Sequence, residues 1–209
     1  MTDGVFTIFL VDDDSSVLKA LSRLLRARGY EVQPFTSPHA FLMGHDASIS
    51  GCAVFDVSMP GLDGLELQQA LTAGGSQRPV IFLTGKGDIP TSVRAMRAGA
   101  IDFLTKPVND DSLLAAIARA EKADTAIRSA NAELDSIKAR FAVLTPRERE
   151  VMTHIIAGRL NKQIAGDLGT VEKTVKVHRG RVMEKMGVRS VAELVRLAEK
   201  AGISAHSGP

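Results

Sequence analysis

Four short apolar runs, each followed at once by polar side chains, constrain the fold of this chain more strongly than any other feature. The runs occupy residues 6–11, 52–55, 80–83 and 101–105. A short apolar run closed by polar and turn-forming residues is typical of a buried strand in a parallel sheet. Amphipathic helical segments alternate with these runs and with a further short strand at 31–35. The sequence therefore predicts an α/β domain with a doubly wound, five-stranded parallel sheet.

The polar residues that follow these runs are expected to meet at one edge of the sheet. They are Asp12, Asp13, Asp14, Asp56, Thr84 and Lys106. In open α/β sheets the carboxyl edge is where ligands bind. Clustered carboxylates raise one another's pKa and stay ionised together only with a cation among them. Mg²⁺ is the natural candidate, because it prefers a few carboxylates, a carbonyl and waters, and leaves positions for phosphate oxygens.

A hydroxyl and an ammonium opposite the acids indicate the chemistry of this edge. With Thr84 and Lys106 in those places, the site would suit phosphoryl transfer onto Asp56 to form a covalent aspartyl-phosphate. We also hypothesise that the Lys106-Pro107 bond is cis, since a strand end that needs a tight turn is where this isomer occurs.

The motifs at these positions resemble those of receiver domains in bacterial two-component response regulators. The motifs are VDDD at 11–14, DVSMPGLDG at 56–64, a strand-ending threonine and a Lys-Pro pair, and they cover residues 5 to about 120. The resemblance implies that Asp56 is the phosphoacceptor and that Asp13, Asp56 and the Ser58 carbonyl bind Mg²⁺. It implies that Asp12 binds the metal through water. Asp14 is interpreted as a helix cap or a solvated acid.

The same resemblance implies roles on the opposite side of the site. Thr84 and Lys106 would hold the phosphoryl oxygens, and the donor would be a sensor histidine kinase. Phe103 would be the ring that rotates when the site is phosphorylated. The alternative is that Phe103 is an ordinary core residue.

Composition and charge favour an intracellular regulator. The single cysteine, Cys52, lies inside an apolar run, which predicts a buried structural thiol and no disulfide framework. No apolar run approaches the length of a membrane helix, and the start MTDGVF lacks the basic residues of a signal peptide, so we expect a cytoplasmic protein without a membrane partner. Residues 1–120 carry a net charge of −3 and residues 145–209 one of +5. The positive end is therefore the candidate for nucleic-acid binding.

Residues 110–144 contain no proline or glycine and repeat apolar residues every seven positions. One seam is Leu113, Ala120, Ile127, Leu134 and Phe141, and the other is Ala116, Ala123, Ala130, Ile137 and Leu144. The pattern predicts a continuous linker helix. This helix either pairs in a parallel coiled coil or remains a single solvated helix. Any pairing would be weak, because alanine is frequent on the second seam.

A second, all-helical domain is predicted to begin at Thr145, which stands as N-cap before Pro146 and an acid at the third helical position. Helices are expected at 146–157, 162–168, 172–186 and 191–200. The short link between the second and third suits a helix-turn-helix, whose later helix enters the major groove. That helix carries Lys173, Lys176, His178, Arg179, Arg181 and Lys185. Such a set marks a phosphate-facing element, with a merely solvated charged helix as the alternative.

This segment resembles the four-helix DNA-binding domain of the LuxR and NarL type, and the two domains together resemble FixJ-type regulators. The match covers residue 144 to about residue 200, especially NKQIA and TVKVH. It implies base contacts from Lys176 and Val177. The implied phosphate contacts come from Thr174, Asn161, Lys162, His178 and Arg179. Gly180 departs from the usual pattern of a longer side chain there, which leaves Arg179 or Arg181 to contribute.

The sequence therefore predicts a transcription factor, not an enzyme, that is switched by phosphorylation and binds promoter DNA. Phosphorylation is expected to favour a homodimer through the face of the fourth helix, fifth strand and fifth helix. The expected domains are the receiver at 1–120, a linker helix at 121–143, the DNA-binding domain at 144–203 and a flexible tail at 204–209.

Two other classes of function share features with this sequence. A phosphatase of the haloacid dehalogenase type also forms an aspartyl-phosphate with Mg²⁺, but carries a second aspartate two residues after the nucleophile, where this chain has Ser58. A protein-interaction module that never binds DNA is disfavoured by the +5 charge of the helical domain.

Overall fold

The structure is a computed structural model, and it describes residues 5–85 and 89–203. The chain divides into two compact units, Met1–Arg128 and Ser129–Pro209. The predicted tail at 204–209 lies outside the described residues. Among the helices that the structure describes, none has the length and apolar character needed to cross a membrane.

The first unit contains the predicted parallel sheet, with its strands in the order β2-β1-β3-β4-β5. The strands are β1 (Thr7–Val11), β2 (Glu31–Phe35), β3 (Gly51–Asp56), β4 (Val80–Thr84) and β5 (Asp102–Thr105). Every residue of β1, β3 and β4 is buried, which explains their continuous apolar sequence. This is the doubly wound α/β sheet that the sequence predicts.

Helices cover both faces of this sheet. They are α1 (Ser15–Ala27), α2 (Pro38–Gly44), α3 (Gly64–Ala73), α4 (Ile89–Arg97) and the first part of α5 (Asp110–Ala142). The side chains of Asp14, Ser37 and Asp63 accept hydrogen bonds from the first-turn amides of α1, α2 and α3. These bonds satisfy donors that a helix cannot pair internally, and they set where each helix begins.

Alternation along the strands divides the core between the two faces. Ile8, Leu10 and Cys52 pack on the face shared with α1 and α5, whereas Phe9 and Phe55 pack on the opposite face. The Cys52 thiol is fully buried, and burial raises its pKa to about 12. It is the buried structural thiol that the sequence predicts.

The predicted linker helix is present as α5, which ends at Ala142, before the predicted end at Leu144. Parts of both apolar seams are already buried in the cores of the two units. Leu113, Ala116 and Ala120 belong to the core of the first unit, and Ile137, Phe141 and Leu144 to the core of the second. Apolar seam positions remain for a partner only between residues 123 and 134, and pairing of this stretch stays a prediction.

The second unit is all helical, as predicted. After the end of α5 come α6 (Pro146–Ile156), α7 (Asn161–Asp167), α8 (Glu172–Met186) and α9 (Val191–Lys200). The Thr145 side chain and Glu148 form the expected capping box at the start of α6. Helix α8 ends at Gly187, whose φ of 65° is left-handed and suits glycine.

Candidate functional site

The carboxyl edge of the sheet brings together three of the predicted polar side chains. Asp12 follows β1, Asp56 ends β3, and Lys106 follows β5. The Nζ atom of Lys106 lies 2.6 Å from Asp12 Oδ2 and 2.6 Å from Asp56 Oδ1. Asp12 and Asp56 are 3% and 5% exposed. One ammonium thus bridges two buried carboxylates, which leaves this trio with a net negative charge.

The Lys106 backbone pairs with the end of the neighbouring strand. Its amide donates to the Thr84 carbonyl at 2.7 Å, and the Lys106-Pro107 bond is cis, as hypothesised. Burial by itself would lower the pKa of the Lys106 ammonium. The hydrogen bonds and charges of Asp12 and Asp56 outweigh burial and leave this pKa above its ordinary value. The lysine therefore stays charged beside the two acids.

The remaining oxygens of the two acids are held by backbone amides. Asp56 Oδ2 accepts from the Ser58 amide at 2.8 Å, and Asp12 Oδ1 accepts from the Asp14 amide at 2.9 Å. The Asp14 carboxylate itself accepts from the Ser16 amide at 2.7 Å and caps α1. That hydrogen bond lowers the pKa of Asp14. Asp14 is the helix cap that the sequence offered as one interpretation, while Asp13 is exposed beside it.

Two further predicted residues lie around this edge. Thr84 ends β4 and is 1% exposed. Phe103, on β5, is partly buried, and its ring centroid lies 6.2 Å from that of Phe82. Phe103 packs against the core but is not fully buried, which fits both interpretations of this residue.

The loop after Asp56 depends on a close approach that sequence reasoning missed. The Gly64 amide donates to the Val57 carbonyl at 3.0 Å. A Cβ atom at Gly64 would lie 2.4 Å from the backbone oxygen of Asp56, far inside contact distance. Only glycine fits, so Gly64 lets α3 start directly behind the acid. The signal was present in the sequence as the last glycine of DVSMPGLDG.

The oxygen donors at this edge fit a hard divalent cation. The carboxylates of Asp12 and Asp56 are close together, with Asp13 following Asp12 and the Ser58 backbone next to Asp56. Carboxylate and carbonyl oxygens are the ligands that Mg²⁺ prefers. Within residues 5–85 and 89–203, no group of three or more acidic, histidine or cysteine side chains is arranged to bind a metal ion. In this structure the carboxylates of Asp12 and Asp56 pair with Lys106.

The second candidate site is the exposed face of α8. Val175, Val182 and Met186 are buried in the core of the second unit, which turns the opposite face of the helix to solvent. The exposed residues of α8 include Lys173, Lys176, Val177, Gly180 and Arg181, together with the acids Glu172 and Glu184. Val177, on this face, is 48% exposed.

The other predicted DNA contacts lie around α7 and the start of α8. Lys162 is exposed, while Asn161, Thr174 and His178 are partly buried. Arg179 Nη1 donates to Asn161 Oδ1 at 3.3 Å, which ties α8 to the start of α7. A Cβ atom at Gly180 would meet nothing within 4 Å, so packing does not require glycine at this position.

Lys185 belongs to the predicted phosphate-facing set of α8, but its ammonium group binds partners within the second unit. Its Nζ lies 2.7 Å from Glu148 Oε2 and 3.3 Å from the Val143 carbonyl oxygen. Glu148 is 2% exposed, and the same oxygen accepts from the Thr145 amide at 2.9 Å. The hydrogen bond from Lys185, followed by that from Thr145, lowers the pKa of Glu148 to about 2. Lys185 therefore supports the fold of the second unit.

This ion pair makes the second unit sensitive to acid. Because the pKa of Glu148 is about 2 in the folded chain and 4.5 ordinarily, its contribution is complete above pH 4.5 and is lost as pH falls toward 2. We expect Glu148→Gln to lower the free energy of unfolding at pH 6 and the deficit to shrink between pH 5 and pH 3. Urea unfolding of the second unit at several pH values measures this. Glu150→Gln, on the exposed side of α6, is the control. A deficit that does not change with pH would contradict the assignment.

Comparison with known proteins gives consistent matches over both units. The sequence profile of the response regulator receiver domain matches residues 8–118, and that of the bacterial regulatory proteins of the luxR family matches residues 142–198. Nodulation protein W of Bradyrhizobium diazoefficiens is 44% identical over 199 residues, which cover 95% of this chain and 88% of that protein. The transcriptional regulatory protein FixJ of the same organism is 43% identical over 196 residues, 94% of this chain and 96% of FixJ.

A solved structure agrees with the sequence matches. The structure of the response regulator StyR is 47% identical and superposes with a TM-score of 0.79, covering 93% of this chain and 98% of StyR. Both the sheet with its carboxyl-edge acids and the helical unit with its basic α8 fall within the matched length.

Proposed function

Because this chain belongs to the response regulators that join a receiver domain to a LuxR-type DNA-binding domain, we propose that phosphorylation of Asp56 by a sensor histidine kinase controls its binding to promoter DNA. The family is one of transcriptional regulators and not of classical enzymes. The observation that supports the proposal most is the Lys106 ammonium placed 2.6 Å from both Asp12 and Asp56.

The chemistry assigned to Asp56 is nucleophilic attack on phosphorus. A carboxylate oxygen of Asp56 forms the new P–O bond, and the bond from phosphorus to the kinase imidazole breaks, so the electron pair leaves with that nitrogen. Lys106 faces Asp56 Oδ1 and would attract the incoming phosphoryl oxygens. Asp56 is 5% exposed, and this burial would limit the access of water to the mixed anhydride.

Mg²⁺ is the cofactor we propose for this edge. Asp13, Asp56 and the Ser58 carbonyl would hold it directly and Asp12 through water, and the bound ion would neutralise charge on the phosphoryl oxygens. In this proposal the Thr84 hydroxyl holds a phosphoryl oxygen together with Lys106. Movement of Thr84 would then alter the packing of Phe103 and so the face around α4 and β5.

Helix α4 exposes apolar side chains that a second copy of the chain would cover in a dimer. On α4, Ile89 is 80% exposed, Val93 42% and Met96 48%. Burying such side chains is favourable at about 25 cal/mol per Å². We propose that the phosphorylated chain forms a homodimer through α4, β5 and α5.

For DNA binding we propose that α8 enters the major groove. Lys176 and Val177 would contact base edges, with the Val177 methyl groups suited to a thymine methyl. The proposed phosphate contacts come from Thr174, Asn161, Lys162, His178, Arg179 and Arg181. Lys185 is left out of this set because it pairs with Glu148.

The proposed switch is tested by measuring DNA binding and oligomeric state together. Full-length chain is titrated onto a promoter fragment by fluorescence anisotropy, with and without acetyl phosphate and Mg²⁺, at one salt concentration. We expect tighter binding and a larger dimer fraction after phosphorylation, because a dimer doubles the phosphate contacts. Asp56→Asn should show neither change. Equal binding and an unchanged oligomeric state in both conditions would refute the switch.

Lys176 separates base recognition from general attraction to phosphate. If it contacts a base edge, Lys176→Ala should cost about 1–3 kcal/mol on the specific site and less on random DNA. Lys200→Ala is the control, because Lys200 is an exposed cation on α9 that pairs with Glu133. Equal losses on both DNAs would mean that Lys176 contacts phosphate instead.

A further inference from the structure

Helix α5 is held to the receiver by two different kinds of contact along its length. Up to Ala120 the hold is apolar, since Leu113, Ile117 and Ala120 belong to the core beneath the sheet. Beyond Ala120 that core receives no further residue of α5 among those the structure describes. The next anchored positions are Asp124 and Arg128, and their contacts are polar.

Asp124 is a buried acid with specific partners. It is 4% exposed, and its Oδ2 atom accepts from Ser50 Oγ at 2.6 Å and from Arg128 Nε at 2.9 Å. Removing a carboxylate from water is costly unless it is paired and hydrogen-bonded. The bond from Arg128 lies within α5, one helical turn away, whereas the bond from Ser50 joins α5 to the receiver. The position of α5 that supplies the Ser50 bond is therefore favoured over positions that leave Asp124 buried without it.

Arg128 extends the same contact to the loop before β3. Its Nη1 donates to the Ser48 carbonyl at 2.8 Å and its Nη2 to the Ile49 carbonyl at 2.5 Å. Arg78 approaches the loop as well, with Nη2 donating to the Asp46 carbonyl at 2.8 Å and to that of Ile49 at 3.2 Å. Two guanidinium groups thus donate to three carbonyls of one short loop, and such charge-assisted bonds are among the stronger hydrogen bonds.

These groups take no part in the phosphoacceptor site. Ser50 directly precedes β3, whereas Asp56 ends it, and a strand of this length separates its ends by about 17 Å. The proposed chemistry and DNA contacts leave the carboxylate of Asp124 and the guanidinium of Arg128 without a role.

We propose that Asp124 and Arg128, together with residues 48–50, form a latch that fixes the part of α5 beyond Ala120 to the receiver. The latch is closed in this structure. When it opens, the helix loses its attachment after Ala120 while the apolar core of the receiver stays intact. With the latch closed, α5 is attached to the receiver as far as Arg128. With the latch open, it is attached only as far as Ala120, and the residues beyond act as linker.

Hydrogen exchange on the full-length chain tests this proposal. Asp124→Asn and Arg128→Gln are compared with Asp135→Asn, a matched change at an exposed position of the same helix. We expect both latch variants to raise amide exchange at residues 121–132 by about tenfold or more, since hydrogen bonds to a charged group are among the stronger ones. Exchange at residues 113–118 and in the strands should not change, and the double variant should add little to the stronger single one.

Two results would overturn the latch. Exchange at 121–132 that matches the wild-type chain in both variants would mean that these contacts do not hold the helix. Faster exchange throughout β1, β3 and β4 in both variants would mean that the contacts stabilise the receiver as a whole and have no specific hold on α5.

Discussion

Asp56→Asn is expected to abolish phosphoryl labelling of this chain by acetyl phosphate or phosphoramidate in the presence of Mg²⁺, whereas Asp14→Asn should leave labelling intact. The loss is expected to be complete, because a neutral amide is a poor nucleophile and cannot replace the carboxylate in forming an acyl phosphate. The measurement is radiolabel incorporation or the mass of the intact chain.

The asparagine variant should keep the shape of the site. An amide oxygen at position 56 can still accept from the Ser58 amide, which donates to Asp56 Oδ2 at 2.8 Å. Lys106 keeps its partner Asp12 at 2.6 Å. Loss of label can then be assigned to the missing nucleophile, and an unchanged circular dichroism spectrum would show that the fold is retained.

Asp14 provides a control of the same chemical type. It is an exposed acid close to Asp12 in sequence, and it caps α1 through the Ser16 amide. Asparagine caps helices about as well as aspartate, so this substitution should cost little stability. Undiminished labelling of Asp56→Asn, or equal loss in both variants, would contradict the assignment of Asp56 as phosphoacceptor.

The parts of this site that lie at strand ends could be predicted from the sequence. A buried parallel strand has a recognisable apolar run, and parallel pairing forces the ends of successive runs to one edge. Asp12, Asp56 and Lys106 follow that rule, and the structure brings them within hydrogen-bonding distance. The N-caps at Asp14 and Thr145 were predictable for a similar reason, since they depend only on local sequence.

Contacts between residues far apart in sequence could not be predicted in this way. The pairing of Lys185 with Glu148 removes one cation from the surface of α8. In the sequence, Lys185 cannot be distinguished from the other basic residues of that helix. The need for glycine at position 64 comes from the Asp56 backbone oxygen, which only the fold brings near. Asp124 likewise becomes a buried, paired acid only because the loop at 48–50 lies against it.

The seven-residue repeat of α5 shows how one pattern can arise from two causes. A repeat of this kind is the signature of a coiled coil. Here its ends are explained by packing within separate units, with Leu113 and Ala116 in one core and Ile137 and Phe141 in the other. Periodicity reports that one face of a helix is apolar and does not say which partner covers it.

The burial of the last turns of α5 leads to the second large effect. A fragment that starts at residue 144, where the sequence places the DNA-binding domain, should be far less stable than one that starts at residue 129. Ile137 is 3% exposed and Phe141 7% exposed in the core of the second unit. Burial of a large apolar side chain contributes about 1.5–3 kcal/mol, so their loss is expected to cost roughly 3–6 kcal/mol. Whole domains are stable by only about 5–15 kcal/mol.

Polar contacts add to this loss. Arg140 Nη1 donates to the Met186 carbonyl at 3.2 Å, at the end of α8, and Lys200 pairs with Glu133 at 2.6 Å. The latter pair is exposed and should contribute little. Without residues 129–143, the Met186 carbonyl loses the Arg140 donor at the end of α8, the helix proposed to read DNA.

Urea unfolding followed by circular dichroism compares the fragments 129–209, 133–209 and 144–209. Residues 129–132 are all exposed, so the first two fragments should unfold at nearly the same urea concentration. The fragment 144–209 should unfold at a much lower concentration or lack a cooperative transition, and its DNA binding should fall in parallel. If it unfolds at the same concentration as 129–209, the last turns of α5 do not stabilise the DNA-binding unit, and Ile137 and Phe141 cover its core without adding to its free energy of unfolding.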